Sequence, residues 1–114
     1  MSDFEFPEAP ADNPLAAGDQ HAILNQIGAA VMFTDADERI VWTNDAFTRL
    51  TGYRPEEIVG QTPKILASGR QSAIFYTRMW QALDSTGHWE GEIWNRRKNG
   101  EIYPEWLIIN RCDD

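Results

Sequence analysis

Residues 88–110, HWEGEIWNRRKNGEIYPEWLIIN, hold three of the chain's five tryptophans: Trp89, Trp94 and Trp106. Apolar and polar residues alternate on both sides of Asn99-Gly100, the pattern of two strands joined by a tight turn. Side chains alternate between faces with a period of two, so the register decides what each tryptophan does. A two-residue turn on Asn99-Gly100 sets Ile93 opposite Trp106. A three-residue loop, Lys98-Asn99-Gly100 with the glycine left-handed, sets Ile93 opposite Glu105 and Gly91 opposite Leu107. The residues alone leave both registers open. They also leave three uses open for the tryptophans: lining a ligand pocket, forming a surface for a partner, or filling a core.

Upstream, AAVMFTDADERIVWTN (29–44) reads as a second hairpin, with strands at Val31–Thr34 and Arg39–Thr43 and the turn in DADE. Asn44 is a helix cap for DAFTRLTG, which ends at Gly52. RPEEIVG adds one more turn, with Pro55 at a helix start and Gly60 at its end. QTPKILASGR is broken by proline and glycine. Ser72 caps a longer helix through about Leu83, whose apolar positions Phe75, Met79, Trp80 and Leu83 recur at three and four, and Gly87 closes it. At the other end, residues 1–18 form a flexible leader with three prolines. Asp19 then caps a short helix, 19–27, with Ile23, Leu24 and Ile27 on one face and Gly28 as its stop.

The totals describe one domain. The chain has 114 residues, 42% apolar and 25% charged, and acidic residues exceed basic ones by 18 to 10, for a net charge of -8. That balance argues against a nucleic-acid groove or an anionic membrane surface as the main partner. The one basic cluster, Arg96-Arg97-Lys98, reads as a solvated hairpin tip. A single cysteine, Cys112, permits no internal disulfide. Runs such as AAVMF and WLII are too short to span a bilayer, and the first residues lack the basic start and apolar stretch of a signal peptide. The expected compartment is the cytoplasm.

The order strand, strand, three short helices, longer helix, strand, strand, with FTDADERIVWTNDAFTRLTGYRPEEIVGQ, then LASGR, MWQAL and GHWEGEIWNRRKNGEIYPEW, resembles a PAS domain, the small sensor module of bacterial signalling proteins. The resemblance covers about residues 28–114. It implies an α+β fold: an antiparallel sheet with short helices packed on one face, plus the N-terminal helix. The domain would run over 19–114, with its core at 29–114. The family's sheet has a fifth, central strand between the first strand and the last one present here. The sequence stops at RCDD, in the turn expected before it. A truncated sheet with unpaired N–H and C=O groups flanking the gap is therefore expected. The second half looks most like PAS domains found upstream of GGDEF and EAL domains. This implies a parent of the diguanylate cyclase or cyclic-di-GMP phosphodiesterase class, with the output domain on the same polypeptide.

The resemblance extends to cofactors. In flavin-binding LOV photosensors the reactive cysteine follows Gly-x-Asn and precedes an arginine. The matching run here is GQTPKIL, with Pro63 for the cysteine, Thr62 for the asparagine and Lys64 for the arginine, so cysteinyl–flavin photochemistry is excluded at that site. Asn95 stands where LOV domains keep a flavin-contacting asparagine, and Glu105 replaces a second one. This match favours the three-residue loop, because only then do Asn95, Glu105, Leu107 and Ile109 share the inner face. The FAD-binding PAS domains of nitrogen-fixation regulators resemble W-x-G-x-x-x-N-R-R, here Trp89, Gly91, Asn95, Arg96 and Arg97. An aromatic beside an amide suits an isoalloxazine ring. The alternative is that Trp89 is core and Asn95 answers local backbone.

The preferred reading carries no cofactor, with FAD or FMN as the alternative. Haem would want a histidine in or near the longer helix. Residues 72–83 have none, and His21 and His88 are peripheral. No spacing suggests zinc. No nucleophile–base pair points to an enzyme, and Glu56-Glu57 reads as a helix-start acidic pair. The inner face bearing Met32, Thr34, Trp89, Asn95, Glu105 and Leu107 is expected to bound a small-molecule pocket. Glu105, next to apolar neighbours, is expected to have a raised pKa, with Asn95 or Tyr103 as partners. Trp94 and Trp106 point outward with Ile102 and Ile108, a face too apolar to stand in water. The 19–27 helix, through Ile23 and Ile27, or a second subunit would cover it, which makes a homodimer the expectation. Three functions follow: a non-catalytic sensor and dimerisation module of a cyclic-di-GMP signalling protein, a flavin-dependent redox sensor, or a pure interaction module.

Overall fold

The structure, a computed structural model, describes residues 28–112. The leader and the 19–27 helix lie outside the described residues. Four strands and three helices follow: β1 Ala30–Thr34, β2 Ile40–Thr43, α1 Asp45–Thr51, α2 Pro55–Ile58, α3 Ala73–Thr86, β3 His88–Arg96 and β4 Ile102–Arg111. A 3-10 helix at Pro63–Leu66 occupies the stretch broken by proline and glycine. The sheet order is β2-β1-β4-β3. The architecture is the expected α+β sheet with short helices on one face.

The local signals act as expected. Asn44 caps α1, accepting from Phe47 N–H, and Gly52 ends it in the left-handed region at φ 84°. Ser72 caps α3, which continues one turn past the expected end before Gly87 closes it. The Asn44 side chain reaches further than a cap. Its Oδ1 also accepts from Val31 N–H at 3.0 Å, and its Nδ2 donates to Ala29 C=O at 2.9 Å. One buried amide thus joins the start of β1 to the start of α1.

The second hairpin takes the three-residue loop. Arg97 N–H donates to Glu101 C=O at 2.8 Å, Gly100 N–H donates to Arg97 C=O at 2.9 Å, and Gly100 lies at φ 96°. Ile93 consequently faces Glu105, and Gly91 faces Leu107.

One expectation is overturned. No gap separates β1 from β4: they pair in parallel, from Ala30 opposite Leu107 to Thr34 opposite Arg111. Cys112 N–H continues the contact to Thr34 C=O at 2.7 Å. Two strands running the same way can share a ladder, and sharing it satisfies groups that would otherwise be left unpaired. The sheet's edges are β2 and β3 instead. Gly60 and Gln61 bond Ile40 along the β2 edge.

The hairpin tip is a second correction. It is docked rather than solvated. Lys98 N–H donates to Thr51 C=O at 2.8 Å, and Arg97 Nη1 donates to Leu50 C=O. Two basic residues thus meet the carbonyl end of α1, where positive charge is favoured. Lys98 also pairs with Glu57. The Lys98 hydrogen bond, chiefly, holds the Glu57 carboxyl below the usual carboxylate range.

The core lies between the inner sheet face and the helices. It joins Ala30, Met32, Ile40, Ile93, Leu107 and Ile109 of the sheet to Phe47, Ile58, Leu66, Met79 and Leu83. Because Asn44 ties both layers, Asn44→Ala should lower unfolding free energy by about 2–3 kcal/mol in urea denaturation: a lost cap plus buried backbone groups left unpaired.

Candidate functional site

The strand register distributes the six expected pocket residues over one face but not into one place. Asn95 faces Tyr103 across β3 and β4, whereas Thr34 faces Arg111. Those two β4 positions are eight residues apart, roughly 26 Å along a strand. No small ligand touches both Thr34 and Asn95. Met32 and Leu107 are fully packed core residues. Thr34 Oγ1, like Thr43 Oγ1, is buried without a hydrogen-bond partner.

Asn95 and Glu105 do meet. They are 2% and 5% exposed, and Asn95 Nδ2 donates to Glu105 Oε2 at 2.5 Å. Tyr103 Oη donates to Glu105 Oε1 at 2.8 Å. The carboxyl therefore has two neutral donors and no cation in direct contact. Arg97 stacks instead on the Tyr103 ring, its Cζ 3.7 Å from the centroid. Burial pushes the Glu105 carboxyl above the ordinary carboxylate range, against the lowering effect of the Asn95 and Tyr103 hydrogen bonds and of Arg97. Burial, then the neighbouring Glu105 charge, pushes the Tyr103 phenol up as well.

Trp89 shares the inner face. Its ring meets Phe75 edge-on, with centroids 5.8 Å apart at 78°. It also lies over Gly91, where a Cβ would stand 3.1 Å from Trp89 Cζ2. The glycine of the W-x-G pair therefore makes room for the indole along its own strand.

Trp94 and Trp106 point outward as expected. Trp106 and Ile102 are 43% and 42% exposed. Trp94 is half-buried, with the Arg70 guanidinium 4.0 Å above its ring. Ile108 does not belong to the exposed patch, because it is 4% exposed. Its strand neighbour across β1, Val31, is likewise buried, so this part of the outer face is covered. Ile23 and Ile27 lie outside the described residues. His88 is locally bonded, with Nδ1 2.8 Å from Asn110 Oδ1 and Nε2 2.8 Å from Glu90 Oε1.

A groove of about 290 Å³ opens between the 3-10 helix and α3, lined by Pro63, Lys64, Ala67, Ala73, Tyr76, Met79 and Trp80. A shallower hollow lies at Thr51, Gly52, Arg97, Lys98 and Asn99. None of the six expected pocket residues lines either one. Sequence reading missed the groove because it pairs residues of a short 3-10 helix with those of the longer α3, and no local pattern fixes how the two pack. Among the described residues, no three metal-ligating side chains cluster to hold an ion.

The comparisons agree with this architecture. The PAS fold family model matches residues 18–106, and the chain belongs to that family. A nitrogen fixation regulatory protein of Klebsiella oxytoca is 35% identical over 108 residues, covering 90% of this chain and 21% of the relative. The aerotaxis receptor of Escherichia coli K12 is 32% identical over 77 residues, covering 68% of this chain and 15% of the receptor. The chain thus spans between 15% and 21% of the length of these two relatives. The solved PAS domain of a protein from Colwellia psychrerythraea superposes with a TM-score of 0.65 at 24% identity, covering 76% of this chain and 74% of that one. The chain is a sensory PAS domain, a class of non-catalytic signalling module.

The raised Glu105 pKa has a testable sign. Below the ordinary carboxylate range both folded and unfolded chains carry the proton. As pH rises, the unfolded chain releases it first, so the stabilisation present at low pH is lost up to and through the folded-state pKa. Glu105→Gln removes that loss. The difference in unfolding free energy between Glu105→Gln and wild type, followed by urea denaturation, should move in the variant's favour as pH rises through that window.

Proposed function

We propose that this chain is the redox-sensing module of a bacterial signalling protein and that its sensory group is a flavin, FAD or FMN. The observation that carries this is the buried Asn95–Glu105 pair: an amide and a carboxyl, the carboxyl answered only by neutral donors, on a largely apolar inner face. Such a pair offers donor and acceptor to the polar edge of a planar heterocycle. Trp89, with Phe75 against it, supplies an aromatic wall on the same face. The W-x-G-x-x-x-N-R-R resemblance and the nitrogen fixation relative support the same reading. When bound, the flavin supplies reversible electron uptake; the chain's own residues bind and orient it. Asn95 and Glu105 would hold its polar edge, and Ile93 and Leu107 its apolar surround.

The second reading is a sensor without cofactor, its interior filled by side chains. The close packing of Met32, Ile93, Leu107 and Ile109 favours it. Neither relative named above is of the cyclic-di-GMP class, so diguanylate cyclase or phosphodiesterase parentage rests on sequence resemblance alone. No helix among the described residues is long and apolar enough to cross a membrane. A cytoplasmic setting, with the output domain on the same polypeptide, completes the reading.

Purified protein should be yellow and release about one flavin per chain on denaturation, identified by absorbance and mass spectrometry. Asn95→Ala should lose it. A colourless protein that takes up neither FAD nor FMN on reconstitution would overturn the flavin in favour of the second reading.

We also propose a homodimer formed through the outer face, with Trp94, Ile102 and Trp106 in the contact. The exposed Ile102 and Trp106 support it. Light scattering at micromolar concentration should give twice the chain mass, and Trp106→Glu should give a folded monomer. A monomeric wild type at that concentration refutes the dimer.

A further inference from the structure

β3 is an edge strand, yet one residue on it is held as though another strand lay beside it. The Gln71 side chain supplies both bonds. Its Oε1 accepts from Trp94 N–H at 2.8 Å, and its Nε2 donates to Trp94 C=O at 2.8 Å. Ser68 Oγ adds a second donor to the same carbonyl at 2.7 Å. The carboxamide thus does for Trp94 what backbone does for the next residue, Asn95, which forms an isolated antiparallel bridge with Ala67.

Two further contacts give this arrangement a direction. Trp94 C=O and Asn95 N–H belong to one planar peptide unit, so whatever fixes that carbonyl fixes the plane from which the Asn95 side chain departs. On the other side, Gln71 Nε2 lies 3.3 Å from Tyr76 Oη, and Tyr76 lines the groove between the 3-10 helix and α3. Gln71 stands between the groove and the buried amide, and its side-chain hydrogen bonds go to Tyr76 and Trp94 rather than to Asn95 or Glu105.

We propose that Gln71 is a positioning residue: it fixes Asn95 through the backbone of Trp94 and ties that setting to the groove through Tyr76. A group in the groove that takes the Tyr76 hydroxyl displaces it from Gln71 Nε2. The carboxamide is then held at Trp94 alone and is free to turn there, and the Asn95 amide shifts against Glu105. The functional consequence rests on the reading of Asn95 given above; the clamp itself rests on geometry alone.

The test uses NMR on the purified chain with no ligand added, reading the hydrogen-exchange protection of Trp94 N–H and the Asn95 side-chain amide signals. Gln71→Leu should lower Trp94 protection roughly five- to tenfold, the effect of one or two lost hydrogen bonds. It should also move the Asn95 signals, while the β1·β4 amides keep their protection and report an intact fold. Gln71→Glu discriminates further. Its carboxylate accepts from Trp94 N–H but cannot donate to the carbonyl, whereas its protonated form does both. Trp94 protection and the Asn95 signals should therefore return toward wild type as pH falls through the carboxylate range, with no such recovery in Gln71→Leu. Tyr76→Phe should move the Asn95 signals without unfolding the loop. Unchanged Trp94 protection in Gln71→Leu would overturn the clamp. Unmoved Asn95 signals in both Gln71 variants would overturn the positioning role and leave Gln71 a local edge cap. Failure to bind flavin alters neither readout, so the two proposals fail separately.

Discussion

The side chain of Asn44 is the joint on which the two layers depend. It bonds Ala29 C=O, Val31 N–H and Phe47 N–H with one amide. The first two groups lie at the start of β1, the third in the first turn of α1. β1 sits inside the sheet, between β2 and β4, so its position sets the level of both neighbours. α1 carries Phe47, fully buried against the inner face. A residue that only capped the helix would leave the helix layer free to slide over the sheet. A residue that only bonded β1 would leave the helix start unsatisfied. Asparagine, with both a donor and an acceptor, does both in a buried site where neither group could be left unpaired.

Against that frame of packed apolar residues, the Glu105 pair is an expense in stability. A buried carboxyl costs free energy unless paired, and the usual remedy is a cation. The nearby cation here is used otherwise: Arg97 covers the Tyr103 ring, bonds Glu101 and holds the end of α1. Glu105 is left with two neutral donors, which stabilise its charge without fixing it. An apolar residue at 105 would serve the core better. Retaining an ionisable group whose charge responds to small changes in its surroundings is the pattern of a functional position. That is why Glu105 and Asn95, rather than the residues of the wider inner face, define the candidate site.

How far the sequence revealed this follows from how local each determinant is. The caps Asn44 and Ser72 and the left-handed Gly52, Gly87 and Gly100 are read within a few residues, and each does what its type suggests. The hairpin register is open in the residues alone, and only the family resemblance, which asks Asn95, Glu105, Leu107 and Ile109 to share the inner face, favours the three-residue loop. Determinants that join distant segments were invisible. The family resemblance implies a gap where a ladder stands, and nothing in residues 30–34 or 107–111 announces that they pair in parallel to correct it. The basic tip looked solvated because its partners, the carbonyls of Leu50 and Thr51, lie nearly fifty residues upstream. Thr34 was grouped with Asn95 because period-two alternation gives the face of a residue but not its distance along it.

The sheet's backbone groups are satisfied in two different ways, and the difference bears on how such a domain can respond. β1 and β4 are bonded to each other, and the β2 edge is bonded by the main chain at Gly60 and Gln61. Rearranging either means moving backbone against backbone, at the cost of several ladder bonds together. The β3 edge is different. Its first residue, His88, has its N–H and C=O answered by Thr86 Oγ1, and Trp94 has both answered by Gln71. Side chains can change partner by rotation, one or two bonds at a time, each worth about 1 kcal/mol. The strand held in this way is also the one that carries Trp89, Gly91 and Asn95. Backbone also reaches this edge at one isolated bridge, Ala67 to Asn95, but a single bridge is not a ladder, so the inner face is firmer along β1 and β4 than along β3. A change in what the site holds would be absorbed first at the two side-chain clasps at the ends of that strand, rather than in the ladder that keeps the sheet together.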